Sequence, residues 1–553
     1  MVAVGLLQPT PPPYDALAWV KKPLDERGRM VCESWAMQGY GTPLAVFFAY
    51  VLKVGLYVGG WMLFCSFSPA LGGPASVATW WLHPLAFQKA IVWSMLFEVL
   101  GLGCGSGPLT GRYFPPVGGF LYFLRPGTTK MPLFPGMPLL GGRTRSIVDV
   151  VLYAALVAGC VRALVAPAIT YDHVLALVVL VPLLGVLDKT IFLAARGEHY
   201  WVTLVVFAFA GNWIAGAKAV QIALWFWAGF SKLNHHFPTV VCVMTSNGPF
   251  TRFAWLRRMM YRSYPSDLRP SMLAHVMAHA GTVMEFSVPI AFLLTPLGVP
   301  PVVAMFLMLG LHGYITSNVP MGVPIEWNVA VVYGAFALFW AHPDVSILSV
   351  GSPPVAVFLV VMLVGLPLFG NLFPRSLSFL LSMRYYAGNW AYSIWLFKGE
   401  AYRKLAKLTT TAPWIYDQLG RFYDRSTSVG LIGKVMGFRL MHLHGRALPE
   451  LVPKALGDAR LEDYEWLDGE LVAGLALGWN FGEGHLHQEQ LLASLQAQCG
   501  FDEGELRCIF VEAQPLGRGT MEYRIVDAKT GQREAGELKV RDLRARQPWK
   551  MAA

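Results

Sequence analysis

The sequence predicts an all-α polytopic membrane helical bundle of about ten spans, followed by a C-terminal soluble α+β domain. Three observations predict it. Hydrophobic residues fill 55% of the 553 positions and charged residues only 14%, where a soluble chain carries roughly a quarter charged residues. Apolar runs recur at 43–65, 85–103, 147–168, 174–194, 200–215, 217–233, 273–295, 300–317, 327–341 and 353–372. Most approach the ~20 residues a helix needs to cross a ~30 Å hydrocarbon core. Beyond Gly399 the long runs stop and mixed periodicity begins.

The elements follow in order. Residues 1–41 hold Pro11–Pro13 and the charged stretch Lys21–Arg29, which predicts a cytoplasmic, solvated or interfacial segment. A basic stub before an apolar core, the mark of a signal peptide, is not what opens the chain. Residues 42–375 form the transmembrane domain. Basic residues sit at the N-terminus (Lys21, Lys22, Arg27, Arg29), in 104–146, in 234–272 and after the last run (Arg375, Arg384, Lys398). The connections at 66–84, 168–173, 296–299 and 342–352 contain no Lys or Arg. Ten spans with both termini in the cytoplasm put every basic loop on one side, as the positive-inside rule requires.

Residues 376–398 mix Tyr385, Tyr386, Trp390, Tyr392 and Trp395 with Arg384 and Lys398, and predict a helix lying in the membrane interface. Residues 399–553 predict the soluble domain, with helices at 465–477 and 488–498 and strands at 507–512, 521–526 and 537–540. Asp527–Gly531 turns the last two strands into a hairpin. This part carries 20 Lys and Arg against 21 Asp and Glu, so the net +10 of the chain belongs to the rest. A near-neutral tail with its own apolar periodicity is expected to fold alone, as a fragment of about 410–553.

Several classes are excluded. A nucleic-acid partner needs a basic soluble face, and the tail offers none. The seven cysteines are scattered without a CxxC pair, which suggests neither a disulfide framework nor a zinc site. Gly101–Gly107 is glycine-rich, but it ends a membrane helix with no strand before it and reads as a loop, not a phosphate cradle. The pairs His442/His444 and His485/His487 read as surface histidines.

Ionisable residues at bilayer depth are costly and mark functional sites by default. Trp225–His236 ends an apolar pattern in Lys232 and two histidines. A lysine there is either a snorkelling anchor or a desolvated amine able to act as a base. Glu285 lies mid-span and must pair or be protonated, with Lys232, His279 or Lys89 as possible partners. His275 and His279 share a helix face at i, i+4, and His312, Glu326 and Asn328 follow on later runs. The catalytic candidates are Lys232, His199 and Glu285. The binding candidates are His275, His279, His312, Glu326 and Asn328. No metal ligands are assigned and no cofactor is specified.

Four stretches in one order carry a family resemblance. Leu187-Asp-Lys-Thr190 precedes Glu198-His-Tyr-Trp-Val-Thr-Leu204; Trp227-Ala-Gly-Phe-Ser-Lys-Leu-Asn234 follows; then Met284–Ile290, and Leu311–Asn318 with Met321–Pro324. Together, over about 180–335, they resemble vitamin K-dependent gamma-carboxylase and its bacterial relatives, which share the horizontally transferred transmembrane domain. The resemblance implies that Lys232 is a base and that His199 assists it. It departs at Ser231, where the family has a second lysine, and at Glu198, where it has an asparagine. The carboxylase also carries its soluble part on the luminal side.

Two main readings follow. One is an enzyme acting on a lipid-soluble quinone or lipid in an intramembrane cavity. The other is a non-enzymatic scaffold or lipid-binding protein whose tail meets a cytoplasmic partner. A histidine-rich di-iron oxidase or desaturase is a further alternative, although no HxxHH triplet occurs. The first two differ in whether Lys232 and His199 converge on one pocket.

Overall fold

The computed structural model describes residues 5–103, 112–138, 140–248, 251, 253–317, 325–385, 388–479 and 489–550. Helices cover each of the ten apolar runs, from Leu44–Cys65 to the composite helix Pro353–Leu372, but they do not show ten spans. They differ in reach. Among the described residues four are long and apolar enough to cross a membrane alone: Leu44–Cys65, Ile147–Val165, Met272–Leu297 and Pro353–Leu372. Tyr171–Leu187 and Pro301–Ser317 are shorter apolar helices. Pro84–Val99 has 16 residues, and Val202–Phe209 has eight.

Local chemistry starts these helices where they start. Ser146 and Asp149 form a capping box on Ile147–Val165, Ser271 accepts from Ala274 N–H at the head of Met272–Leu294, and Pro occupies the first turn of Pro84–Val99 and of Pro353–Val360. These groups satisfy, or never had, the N–H donors left over at a helix start. Large apolar side chains face outward along the long helices. Leu52 is 74% exposed, Phe306 78% and Val283 65%, an arrangement suited to lipid and not to water.

Polar contacts at the two ends of the bundle sort its connections. At one end Lys89 donates to the carbonyls of Phe64, Leu164 and Ala166 at 2.8, 2.8 and 3.0 Å, and Lys218 donates to those of His342 and Val345. Each lysine thus ties together backbone acceptors left over where helices end. Lys89 is therefore no partner for Glu285. At the other end the basic connections meet the C-terminal part. Arg125 donates to Thr410 O, Asn234 to Gln514 O, and Leu268 N–H to Gln547.

A short hairpin of β1 (Tyr261–Ser263) and β2 (Asp267–Pro270) lies just before the Met272–Leu294 helix. The C-terminal part is built on a five-stranded antiparallel sheet. Its strands are β3 (Tyr392–Lys398), β4 (Tyr464–Asp468), β5 (Leu506–Val511), β6 (Thr520–Asp527) and β7 (Gly531–Lys539), in the order β4-β3-β5-β6-β7. The expected hairpin at Asp527–Gly531 joins β6 to β7. Helices Gly469–Leu477 and Glu489–Cys499 stand where periodicity placed them, except that 464–468 is strand.

Two expectations are corrected here. Residues 376–398 are not an interfacial helix: Tyr392–Lys398 is an interior strand, paired Trp395 to Leu467 on one side and Trp395 to Cys508 on the other. Only Lys398 of its seven residues is not buried. A strand covered on both faces reads as an unbroken apolar run, and hydropathy cannot tell it from a membrane segment. The boundary expected at 399 therefore cuts through the sheet.

Nor is the N-terminal segment a solvated leader. The helix Leu24–Gln38 packs along Arg425–Met441, every residue of which from Ser428 onward is buried. Gly433 and Gly437, one turn apart, let the backbones approach. A Cβ at Gly433 would lie 2.9 Å from the Trp19 ring, and one at Gly437 2.9 Å from Val31.

Candidate functional site

The first turn of the helix Ile325–Gly334 organises the buried polar residues of the bundle. Three successive side chains reach three different neighbours. Glu326 pairs with Lys53 at 3.1 Å, Trp327 packs on Tyr385 with ring centroids 5.0 Å apart, and Asn328 Oδ1 meets His312 Nδ1 at 2.9 Å. Glu326 and Asn328 are both buried.

On the Asn328 side the contacts form a relay. Trp225 Nε1–H donates to His312 Nε2 at 2.9 Å. An indole N–H only donates, so Nε2 is the accepting nitrogen and Nδ1 carries the hydrogen that reaches Asn328. His312 is thus a neutral imidazole with both nitrogens engaged. Trp225 itself stacks on Phe292 at 5.3 Å. Lys232, at the end of the Trp225 helix, forms a short ion pair with Glu285 and lies over the Phe237 ring. Their side chains are 9% and 4% exposed. A buried carboxylate and ammonium can each stay charged only through such a partner.

On the Trp327 side the chemistry is less settled. Residues Gly197–Trp201 form a π-helical turn entered through Arg196, whose φ of 53° is left-handed. Non-glycine residues hold that conformation only when the surroundings enforce it, and both it and π-turns gather at functional sites. Arg196 pairs with Glu198 at 3.1 Å and lies over the rings of Trp327 and Tyr385. Tyr385 donates to Glu198 Oε1 at 3.3 Å. Glu198 Oε2 and His199 Nδ1 are buried without a hydrogen-bond partner among the described residues.

The sequence candidates are therefore divided. Lys232 joins Glu285, and His312 joins Asn328. His199 belongs to the Arg196–Glu198 centre, with no hydrogen bond or ion pair to Lys232 among the described contacts. His275 binds the carbonyl of Ser271 at 2.8 Å, whereas His279 is exposed. Among the described residues no group of three or more His, Cys, Asp or Glu side chains is placed to hold a metal. The histidine set behind the di-iron alternative is not gathered.

Sequence reasoning missed two further features. Asp188, within the Leu187–Thr190 motif, receives Arg145 at 2.6 and 3.0 Å and caps the helix Lys189–Ala194. That contact is structural, and nothing in the spacing of 145 and 188 signals it. The second is a pair of adjoining cavities. One, of about 400 Å³, is lined by Tyr57, Trp61, Trp93 and Tyr333; the other, of about 580 Å³, by His312, Asn328 and Leu309. Trp81, Val329 and Tyr333 border both. The lining polar groups are turned away into the protein: Trp61 donates to Ala86 O, Trp93 to Tyr57 O and Tyr333 to Trp81 O. What faces the space is mostly ring and aliphatic surface, with His312, Asn328, Thr316 and Ser317 in the second cavity. The sequence signal was available in the aromatic residues of 57–93, but without the fold they read as lipid-facing.

Helices long and apolar enough to span, outward apolar side chains and inward polar residues are the features of a transmembrane protein. Residues 4–553 match the family of transmembrane proteins of unknown function DUF3556, and the chain belongs to that family. No curated protein and no solved structure matches the chain.

Proposed function

We propose that the protein binds the apolar portion of a lipid or lipid-soluble quinone in the aromatic cleft, with the His312–Asn328 pair as its polar anchor. One observation carries this reading: two adjoining cavities share Trp81, Val329 and Tyr333, and their lining is mostly apolar with a few polar groups in the second. Such a lining, apolar with a few fixed polar groups, suits an acyl or isoprenoid chain. Lys232, the position that corresponds to the base of the gamma-carboxylases, is held by Glu285, and both nitrogens of His312 are engaged. These features favour holding a ligand over transferring its protons.

The test uses the purified full-length protein in neutral detergent with photoactivatable isoprenoid quinone and acyl-chain probes. Cross-links are expected in peptides containing Trp81 and Val329–Tyr333, and Tyr333→Ala with Trp81→Ala should lower them severalfold. Cross-links spread evenly over the outward faces, with no effect of the double substitution, would overturn the reading.

An enzymatic reading keeps one specific support, the left-handed Arg196, the π-turn and the unpartnered atoms of Glu198 and His199. Turnover of a quinone or lipid lost in His199→Ala but kept in Lys232→Met would favour it. For topology, the basic connections lie on the face that carries the C-terminal part, and we read that face as cytoplasmic. A reporter after Ala553 should then report the cytoplasm.

A further inference from the structure

We propose that a second site, formed where the C-terminal part meets the head of the Met272–Leu294 helix, binds the phosphate group of an anionic lipid. A cavity of about 320 Å³ there is walled by five arginines, Arg262, Arg269, Arg446, Arg541 and Arg544. His235, Thr239 and His275 complete its polar wall, and among the described residues no carboxylate lines it. The residues come from three distant stretches, so the fold has gathered the charge.

Partners distinguish the arginines. Arg269 is neutralised by Asp267 and also donates to Ala545 O at 3.0 Å. Arg541 meets Asp542 at 3.2 Å. Arg262, Arg446 and Arg544 have no ion-pair partner among the described residues. Arg446 is the decisive one. It is 1% exposed, donates through Nη1 to Arg546 O at 3.1 Å, and buries its Nε without a hydrogen-bond partner among the described residues. A guanidinium is charged at any working pH, and a buried one with no carboxylate at ion-pair distance among the described residues leaves a place for an anion. Phosphate suits it, because its oxygens can take several N–H donors at once.

Position favours a lipid as the source. His275 lies one turn inside a helix long and apolar enough to span. On that helix Met272 and Val276 are 78% and 56% exposed. Nearby, Phe253 and Trp255 are each 60% exposed beside the exposed Arg258, the aromatic and basic pairing found at the headgroup level. A lipid with its chains against the 272–294 helix would bring its phosphate to this cavity.

The experiment measures affinity of the full-length protein in neutral detergent for dihexanoyl phosphatidic acid, dihexanoyl phosphatidylcholine and inorganic phosphate. Phosphatidic acid is expected to bind more tightly than either of the others. The exposed Arg262→Gln/Arg544→Gln variant should weaken it about thirtyfold, from roughly fivefold per surface arginine. Arg446→Gln should weaken it as well, and where that variant fails to fold, the exposed pair carries the test. Inorganic phosphate binding as tightly as the lipid would overturn a lipid source. Equal binding of the two lipids, or affinity unchanged in the double variant, would overturn the site.

Discussion

The bundle and the C-terminal part both bury ion pairs, but they use them differently. Lys232 and Glu285 contact each other and little else that is polar. Arg439 and Asp468 form a two-point pair at 2.8 and 3.0 Å, and Asp468 also accepts from Glu470 N–H as the cap of Gly469–Leu477. The first pair is a clasp between two helices, and the second is woven into the backbone around it. Removing both members should therefore be tolerated in the bundle and not in the tail.

The largest expected effect concerns whether the tail is a separate body at all. A fragment of 399–553 lacks β3, which lies between β4 and β5, and lacks the N-terminal helices that meet Gly433 and Gly437. It should show no cooperative melting transition, whereas the full chain should. A cooperative transition in the fragment would restore the separable domain that the charge balance suggests.

Next in size is Glu285→Leu, which strands the Lys232 ammonium and should cost about 3–5 kcal/mol of stability, measured by thermal or denaturant unfolding in detergent. Adding Lys232→Met should recover most of that loss, because two apolar side chains replace the clasp. The parallel double change, Arg439→Met with Asp468→Leu, should recover little, because the cap on the following helix is still missing. Equal recovery in both would remove the distinction between clasp and woven pair.

Acid should act on the tail through buried histidines. His442 and His444 are buried, not on the surface as their His-x-His spacing suggested. Burial, followed for His442 by Arg439 and for His444 by His442, Arg439 and Arg384, lowers them from the ordinary 6.5 to about 4 and about 3. The unfolded chain therefore binds protons that the folded chain refuses. Stability is intact above pH 6.5 and falls as pH drops below it, by roughly 1.4 kcal/mol per unit for each histidine until the folded values are reached. Melting temperatures at pH 7.5 and 5 should differ accordingly, and His444→Gln should flatten the slope.

The sequence was legible where one local property decided the outcome. Twenty apolar residues in a row can do little but span or fill a core, so Leu44–Cys65 and Ile147–Val165 were readable. That Glu285 needs a partner was readable, because a carboxylate at that depth must pair or be protonated, but Lys232 was one of three candidates. Tyr392–Lys398 was not, because the apolar surface of a doubly covered strand is the same surface that a membrane helix shows. The Arg196 turn and the arginine cavity were hidden for a different reason. A left-handed φ leaves no mark on a residue's identity, and the cavity exists only once 235–275, 446 and 541–544 meet.

The smallest expected effect tests the centre that looks least complete. His199 contacts Tyr200 and Trp327 through its ring, at 4.6 and 6.4 Å between centroids, while Nδ1 is buried without a hydrogen-bond partner among the described residues. A buried polar atom that makes no hydrogen bond contributes a desolvation cost and no compensating bond. His199→Phe keeps the ring contacts and removes that cost, so stability should change by less than about 1 kcal/mol, or rise. Glu198→Gln is different, since it weakens the ion pair that holds Arg196, and its cost should be larger than that of His199→Phe. Unfolding of both variants in detergent gives the comparison. A loss of more than about 2 kcal/mol in His199→Phe would show that Nδ1 holds the fold together, and His199 would then be a structural residue like Asp188.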